Sequence, residues 1–493
     1  MSRRLPAALL AVSLTLLVPA GTGAAPAPGE ANNFELVGHD PLFSRGMNAA
    51  PAILGNHVYV GSRTDGSPHH PHPGVLVVDV ADPSNPQVVG EIGPPDEGNV
   101  AETSRELRVW PQAGLLLVLN FNCSALIHAC TSPSDLTGSV VRNIKFFDVA
   151  ADPVNPPLVS TYVPSRTPHE FHLWVDPADP ARALLWMSTP TISTTLPNLI
   201  VTDISGAREG TFAEIASFNA NDQYTAQDRQ TRDVRLHSMA VTADGSRTYL
   251  AHLGGGMLVV DSTEVAAGVP DPELKRLTPP ANSPTWPNMT VHSAVPMPGR
   301  DLVLTTDEVY GDLLDPLVQP RNDFGCPWGW VHLIDVSDEA NPRLVGEFRV
   351  LPENDPAFCE TPDGQDPTNT FVTSYSAHNP TVFKDLGFVT WHSGGFQAFR
   401  VTRGGRVTEE VGSFAPEPLP FVFTEDPALS LGRSKVVMWS FPIIKDGLIY
   451  LVDLRNGLYI LRYTGPRARQ VARIGFLEGN SNVGDAVRLE QRD

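Results

Sequence analysis

The chain is poor in basic residues for its length. Its 493 residues include 35 lysines and arginines against 55 aspartates and glutamates, which gives a formal net charge of −20. The few basic residues form no cluster. An acidic surface repels phosphate backbones and anionic lipid headgroups. We therefore expect neither nucleic acid nor a membrane surface as a partner.

Long apolar runs are missing after the N-terminus. Arg3 and Arg4 precede the run LPAALLAVSLTLLVPA, and small residues follow near Ala24 and Ala25. A basic start, a short apolar core and small residues are typical of a secretory signal peptide, whereas a membrane-spanning helix needs roughly 20 apolar residues. The sequence predicts a signal peptide at residues 1–25, a linker at 26–32, and secretion to the cell exterior.

Cysteine is scarce, and several catalytic motifs are absent. In an oxidising compartment the four cysteines predict two disulfides, Cys123–Cys130 and Cys326–Cys359. Zinc binding by cysteine is the weaker alternative, because no C-x-x-C spacing occurs. The sequence also has no G-x-S-x-G elbow, P-loop or H-E-x-x-H motif. Its carboxylate pairs lack a recognisable glycosidase context, so that class has weak support.

One phrase recurs along the chain. It reads GVLVVDVADPSNPQVVGEI from Gly74, IKFFDVAADPVNPPLVSTY from Ile144 and VHLIDVSDEANPRLVGEF from Val331. Each copy is an alternating apolar strand that ends in Asp, followed by a turn rich in Asp, Pro and Asn and by a second strand. This pattern predicts a β-hairpin. Looser copies begin at Leu199, Met257, Phe396 and Leu458.

A second strand pair precedes each of these hairpins. The seven pairs begin at Asn48, Arg105, Phe171, Leu236, Val291, Ala377 and Ser440. Seven four-stranded units, with no convincing amphipathic helix, predict an all-β fold: a seven-bladed β-propeller of four-stranded antiparallel blades. We assign it to residues 33–480, with a C-terminal tail at 481–493. Stacked sandwiches are the alternative.

The strand that closes the propeller is ambiguous. The segment from Asn33 resembles the fourth strand of a unit and can complete the last blade, but a segment near Val471 is a second candidate for the same place.

Histidines recur where first strands begin. In a propeller the first strand of each blade lines the central channel, and we expect equivalent positions to meet around the axis. Aligned first strands place the following residues there: Asn48, Glu106, His172, His237, His292, His378 and either Trp439 or Ser440. Four converging imidazoles predict a metal site for a transition metal ion, with iron or copper favoured and manganese or zinc as alternatives. The competing hypothesis is that channel histidines bond only to water and backbone.

Other polar residues are expected on the same face. Glu106 is a candidate fifth ligand or a group that orients a histidine. The second strands end at His252 and His392, which with Glu106 are the candidate catalytic residues. Further candidates at strand ends are Asp307, Glu308, Asp453 and Arg455, although an Asp there often only caps the strand. His169 is either a rim residue or an alternative ligand to His172.

Long loops are predicted on this face as well. They are Ser62 to Gly74, Cys123 to Cys130, Val309 to Trp330, and the segment between Leu351 and Tyr375. Loops on a rigid scaffold usually carry binding. We therefore expect a small-molecule or glycan substrate at the loop face.

The phrases LVVDV, HLIDV and IYLVDL, with D-P-x-N-P or its remnant, resemble the LVIVD-repeat family of exported bacterial β-propeller proteins. The resemblance implies the fold and implies no particular activity. The four-histidine ring is also similar in arrangement, though not in motifs, to carotenoid-cleaving oxygenases and to selenium-binding, methanethiol-oxidising proteins. We expect a metal-dependent oxidoreductase. The alternatives are a non-catalytic extracellular scaffold that binds protein or glycan, and a divalent-metal polysaccharide lyase.

Overall fold

A computed structural model of the chain describes most of the expected propeller. The described residues are 29–67, 69–93, 102–123, 128, 130, 142–309, 329–350, 357, 360, 375–402, 405, 407–427, 429–430 and 435–482. Several predictions lie outside them: the signal peptide at 1–25, the Cys326–Cys359 pairing, and most of the loops that follow residues 309 and 350. The C-terminal tail from residue 483 also lies outside.

Seven antiparallel sheets follow one another along the chain, and each forms one blade. The N-terminal strands are β1 (Ala31–Asn32) and β2 (Phe34–Asp40). Blades 1 and 2 contain β3 (Asn48–Leu54), β4 (His57–Ser62), β5 (Val75–Asp79), β6 (Gln87–Ile92), β7 (Glu106–Trp110), β8 (Leu115–Phe121), β9 (Arg142–Asp148) and β10 (Leu158–Tyr162). Blades 3 and 4 contain β11 (Glu170–Val175), β12 (Ala183–Ser188), β13 (Leu199–Gly206), β14 (Thr211–Phe218), β15 (Ser238–Val241), β16 (Arg247–Ala251), β17 (Met257–Asp261) and β18 (Lys275–Arg276).

The remaining strands complete the ring. Blades 5 and 6 contain β19 (Val291–Pro296), β20 (Leu302–Asp307), β21 (Val331–Asp335), β22 (Arg343–Phe348), β23 (Pro380–Phe383), β24 (Leu386–Thr390), β25 (Phe396–Val401) and β26 (Val407–Phe414). Blade 7 contains β27 (Ile443–Lys445), β28 (Leu448–Asp453), β29 (Gly457–Tyr463) and β30 (Phe476–Glu478). The prediction of a seven-bladed β-propeller is confirmed.

Helices in the described residues are short. The α-helices are Ala226–Thr231, Thr263–Ala266 and Ala468–Val471, and the 3₁₀ turns are Leu42–Ser44, Ala207–Glu209 and Pro280–Asn282. None of the helices in this part of the chain has the length and apolar character that a membrane crossing requires. The predicted Cys123–Cys130 disulfide is present, with the two Cα atoms 5.9 Å apart.

The recurrent Asp of the repeated phrase ends the third strand of a blade. Asp79 Oδ1 accepts the amide hydrogen of Ala81 at 2.8 Å, and Asp335 Oδ1 accepts that of Ser337 at 2.9 Å. These Asx turns reverse the chain into the fourth strand. Third strands such as β5 are almost fully buried, whereas fourth strands such as β6 alternate between exposed and half-buried residues. The apolar cores therefore lie between neighbouring blades, as in the cluster that joins blades 2 and 3.

Both ends of the described chain complete the last blades. Strand β2 pairs with β29, with Phe34 opposite Tyr463, and so forms the outer strand of blade 7. The segment near Val471, the other candidate for this place, is helical. Strand β1 is the outermost strand of blade 6. The ambiguity of the sequence is thus resolved in favour of the N-terminal segment.

Strand β30 adds to the inner side of blade 7, where it pairs with β27. The chain then continues to blade 3, where Asn482 exchanges hydrogen bonds with the backbone of Val175 at 2.7 and 2.8 Å. On the way, Arg108 of blade 2 donates to the carbonyl of Asn480 at 3.1 Å. Residues 476–482, which we call the C-terminal segment, thus contact blades 7, 2 and 3.

Closure by β2 can be tested with two substitutions on that strand. Phe34 is 6% exposed and packs on Phe396 and Tyr463, whereas Leu36 is 51% exposed. We expect Phe34→Ala to lower the free energy of unfolding by about 3–5 kcal/mol, because it leaves a cavity in the core. Leu36→Ala is the matched control and should cost far less. Calorimetric unfolding at one scan rate compares them, and equal effects would contradict closure by β2.

Candidate metal centre

Histidines stand at equivalent places in blades 3, 4, 5 and 6. The backbone amide of His237 bonds to the last residue of the second strand, Ala251, at 2.9 Å, and His378 bonds in the same way to Thr390 at 2.9 Å. His169 makes the equivalent bond to Ser188 at 2.7 Å. His292 lies at a bulge, between the pairs Val291–Asp307 and Ser293–Thr306. Each histidine therefore begins the first strand of its blade.

The five imidazoles of this region form a continuous arc. Ring centroids are 4.4 Å apart for His169 and His237, 4.0 Å for His237 and His292, and 4.2 Å for His292 and His378. His392, which follows the second strand of blade 6, continues the arc with its centroid 4.9 Å from that of His378. The rotational repetition of the fold thus gathers the histidines as expected.

Two carboxylates lie against the arc. Glu308 Oε1 is 3.2 Å from His378 Nε2 and 3.4 Å from His392 Nε2, and Glu308 Oε2 is 3.6 Å from His292 Nε2. Glu170 Oε1 is 3.7 Å from His237 Nδ1 and 3.8 Å from His292 Nε2. We call these seven residues the histidine–glutamate cluster: His169, Glu170, His237, His292, Glu308, His378 and His392.

The cluster can hold a metal ion. Three groups of side chains each bring one donor atom per residue to within 4.8 Å of the others: His169 with Glu170 and His237, His237 with His292 and Glu308, and Glu308 with His378 and His392. Imidazole and carboxylate donors together suit several first-row transition metals.

Hydrogen bonds fix which nitrogen of the imidazoles faces the cluster. His378 Nδ1 donates to the backbone carbonyl of Trp439. His292 Nδ1 is 2.9 Å from Ser293 Oγ, whose hydroxyl in turn donates to Asn379 Oδ1 at 3.3 Å. Ser293 therefore accepts from His292 Nδ1. Both rings are left with an Nε2 lone pair toward Glu308, and such outer partners orient metal-binding histidines.

Hydroxyl groups of neighbouring blades hold the histidine backbones. Ser188 of blade 3 donates to the carbonyl of His237 at 2.6 Å, and Ser238 of blade 4 donates to the carbonyl of His292. Thr306 of blade 5 donates to the carbonyl of His378. Each of these bonds crosses from one blade to the next, so the arc is positioned by the packing of the ring itself.

Burial favours the neutral form of His237 and His292. It lowers the pKa of His237 to about 3, and the pKa of His292 lies well below its ordinary value because of burial and the neighbouring His237 and His378. Burial by itself raises the pKa of a carboxyl. The electrostatic interactions of Glu308 with His378 and His292, and its contacts with His378 and His392, nevertheless hold its pKa well below its usual range. Neutral imidazoles and an ionised carboxylate are the protonation states that bind metal.

Glu170 has the opposite protonation behaviour. Burial, and then the charge of Glu106, raise the pKa of Glu170 well above its ordinary value. The pKa values of the two carboxyl groups of the cluster are therefore shifted in opposite directions.

Arg105 and Trp439 complete the ring around the axis. Arg105 occupies in blade 2 the place that histidine has in blades 3 to 6, and its Nη2 is 3.4 Å from His169 Nε2. The guanidinium carbon lies 5.5 Å from the indole centroid of Trp439, which is 5.1 Å from the ring centroid of His378. The arc of histidines is thereby closed by a cation and an indole.

His172 is not in the cluster, which differs from the sequence prediction. The first hairpin of blade 3 pairs six residues, from Glu170 to Val175, whereas that of blade 4 pairs four, from Ser238 to Val241. An alignment that counts residues back from the hairpin turn therefore selects His172 in blade 3, which lies farther along the strand than the ring position. The ring position belongs to His169, which the sequence offered as the alternative. The predicted His237, His292 and His378 do come together.

His172 lies toward the end of the channel opposite to the histidine–glutamate cluster. Burial, and then the charge of Arg108, lower its pKa to about 3, and Asn480 of the C-terminal segment opposes this shift. With residues of that segment and of the first hairpin turns of blades 4 and 5, it lines a cavity of about 600 Å³.

Two of the three candidate catalytic residues also lie outside the cluster. His252 Nε2 is 2.7 Å from Asn221 Oδ1 and 3.0 Å from the carbonyl of Val234, so its ring fixes a loop. Glu106 is ion-paired with Arg108 at 3.5 Å and with Arg105 at 4.0 Å. His392 is the candidate that the structure brings to the cluster.

Among the other candidates at strand ends, Glu308 belongs to the cluster, whereas Asp307, Asp453 and Arg455 do not. Asp307 accepts from Trp286 Nε1 at 2.6 Å and from the amide of Thr290 at 3.0 Å. Asp453 accepts the amide hydrogens of Val437 and Arg455, both at 2.9 Å, which is the capping role expected of it. Arg455 itself pairs with Glu425.

Sequence reasoning missed Glu170 altogether. It directly follows His169, just as Ser238, Ser293 and Asn379 follow the other histidines of the ring. An alignment on the histidine and its following residue, rather than on the turn, would have identified both His169 and Glu170.

Comparisons with known proteins describe the fold alone. Neither the protein-family models nor the curated proteins gave a match. Among solved structures, a chain of a mitotic checkpoint complex is 9% identical with a TM-score of 0.44, over 91% of this chain and 98% of that one. The periplasmic gluconolactonase PpgL of Pseudomonas aeruginosa is 15% identical with a TM-score of 0.47, over 82% and 93%. Likenesses this distant carry no argument about chemistry.

The structural role of His252 predicts a pH effect. Burial, and then the charge of Arg276, lower its pKa to about 3. As pH falls below about 6.5, the unfolded chain takes up a proton at this residue and the folded chain does not, so stability present at neutral pH is lost. Between pH 7 and 5 this group should cost about 2 kcal/mol.

The variant His252→Gln keeps a donor toward Val234 and removes the titrating group. Denaturant unfolding at pH 7 and pH 5 should therefore show a smaller acid loss in the variant than in the parent protein, by about 2 kcal/mol. The same loss in both proteins would show that His252 is protonated in the folded state.

Proposed function

We propose that the protein binds a transition metal ion in the histidine–glutamate cluster and works as a metal-dependent oxidoreductase. The observation that carries the proposal is the grouping of His378, His392 and Glu308, with both imidazole Nε2 atoms 3.2 and 3.4 Å from one carboxylate oxygen. Metal–ligand bonds of about 2.0–2.2 Å separate neighbouring donor atoms by roughly 3.0–3.5 Å. The distances thus already suit a coordination shell.

The ligand types favour redox chemistry. Two histidines and one carboxylate with open positions are the ligand set of non-haem iron oxygenases, and imidazole-rich sites also take copper. Iron or copper is therefore our first choice, with manganese or zinc as alternatives. A bound ion with an open position supplies a Lewis acid or a redox centre for substrate or dioxygen.

The surrounding residues supply the other requirements of such a site. His292 and His378 are held with Nε2 toward the carboxylate of Glu308. Because the pKa of Glu308 is low, metal binding does not require this side chain to lose a proton. Arg105 and Trp439 stand at the same level of the ring and limit the space around the ion. We expect them to face a small-molecule or glycan substrate that enters from the loop face.

Family and location are part of the same proposal. We propose that the chain is an LVIVD-repeat protein and that it is secreted. The repeated strand–Asp phrase supports the first statement. The Cys123–Cys130 disulfide supports the second, because disulfides persist mainly in oxidising compartments.

Metal content tests the proposal. Protein purified without a His tag should contain at least one equivalent of a transition metal by elemental analysis. Glu308→Gln keeps the shape of the side chain and removes its charge, so metal affinity should fall at least tenfold, since even outer-shell changes cost about 10–100-fold. His172→Gln removes a buried imidazole outside the cluster and is the matched control, which should retain the metal.

Two results would contradict the proposal. One is a parent protein without stoichiometric metal that also fails to take up added iron, copper, manganese or zinc. The other is equal metal content in Glu308→Gln and the parent. Either result would favour the scaffold hypothesis, in which the loop face binds protein or glycan without a metal.

A further inference from the structure

The carboxylate of Glu308 faces two different sets of histidines. Its Oε1 is 3.2 Å from His378 Nε2 and 3.4 Å from His392 Nε2. Its Oε2 is 3.6 Å from His292 Nε2. A carboxylate that serves one ion from one side leaves its second oxygen to solvent or to a hydrogen-bond donor. Here both oxygens point at imidazole nitrogens.

The donors on the two sides form two separate groups. His378 and His392 form one group with Glu308, and His237 and His292 form another with the same residue. Glu308 is the single member that the two groups share. Each group by itself has two imidazoles and a carboxylate, which is enough to hold an ion.

The arc of histidines is longer than one coordination shell. From His237 through His292 and His378 to His392, successive ring centroids are 4.0, 4.2 and 4.9 Å apart. Donor atoms on opposite sides of one ion are only about 4.2 Å apart when metal–ligand bonds are about 2.1 Å. A single ion therefore reaches only part of the arc.

Glu170 adds a second carboxylate on one side only. Its Oε1 lies 3.7 Å from His237 Nδ1 and 3.8 Å from His292 Nε2. The group that contains His237 and His292 thus has carboxylates on both flanks. The group that contains His378 and His392 has Glu308 alone.

From these observations we infer that the cluster is a dinuclear metal site, in which Glu308 bridges one ion held by His378 and His392 and a second ion held by His237 and His292. This inference rests on the proposed function, because it requires that the cluster binds metal. Two-metal sites have ions about 3.5–4 Å apart, which matches the spacing of histidines on neighbouring blades. Such a pair of ions binds a small oxygen ligand, such as hydroxide or a substrate carboxylate, between them.

Metal stoichiometry tests the inference. Chelator-treated full-length protein is titrated with Zn²⁺ by calorimetry, and the dialysed product is analysed for zinc. The parent protein should bind two equivalents. His392→Ala should bind one, because it removes a ligand of one group, and His292→Ala should also bind one, because it removes a ligand of the other. His172→Ala should still bind two.

A spectroscopic measurement checks that the two ions are neighbours. The parent protein loaded with Mn²⁺ should give a spin-coupled electron paramagnetic resonance spectrum, and His392→Ala should give an uncoupled mononuclear one. Circular dichroism and thermal unfolding of metal-free samples verify that each variant is folded. Where an alanine variant is unfolded, His392→Gln or His292→Gln replaces it.

The outcomes separate this inference from the proposed function. One equivalent in the parent, lost in both His392→Ala and His292→Ala, would overturn the dinuclear site and leave a mononuclear metal enzyme. A parent protein that binds none of zinc, iron, copper and manganese would overturn both. The double variant of His292 and His392 should bind none, and two equivalents retained there would place the ions outside the cluster and also overturn the inference.

Discussion

The candidate site depends on hydrogen bonds that cross from one blade to the next. The hydroxyls of Ser188, Ser238 and Thr306 each donate to the backbone carbonyl of a histidine in the following blade. These bonds are buried, and a buried carbonyl without a partner costs about 1–3 kcal/mol. The position of each imidazole along the propeller axis is therefore fixed by contacts between neighbouring blades. A loop-based site would not have this rigidity.

The protonation of the cluster follows from the same burial. Imidazoles removed from water stay neutral, as the lowered pKa of His237 shows, and Glu308 is the carboxyl that ionises among them. Burial and the neighbouring Glu106 raise the pKa of Glu170. The histidines around Glu308 thus favour its ionised form, whereas the acid beside Glu170 favours the neutral form of that residue. Negative charge in the site is therefore favoured at Glu308.

The repeat pattern was sufficient to predict the architecture and insufficient to predict every member of the site. The alternating apolar residues predict strands and the terminal Asp residues predict turns, so the seven repeats of this pattern predicted seven blades. His237, His292 and His378 were found because rotational equivalence depends only on where a first strand begins. His172 was wrongly aligned because the hairpin of blade 3 is longer than that of blade 4. Glu308 was named as a strand-end candidate together with Asp307, but which of the two faces the histidines depends on how the chain turns after β20, and no periodicity reports that direction.

The closing strand has a consequence for how the molecule is made. Glu35 of β2 pairs with Arg462 of β29, and the two residues are 427 positions apart in the chain. The outer edge of blade 7 can be covered by β2 only after the chain has been synthesised through β29. Contacts this distant slow folding, and unpaired strand edges promote aggregation in the meantime. Strand β2 therefore lacks its partner in blade 7 until β29 has emerged from the ribosome, and in that interval its pairing edge is open to contacts with other chains.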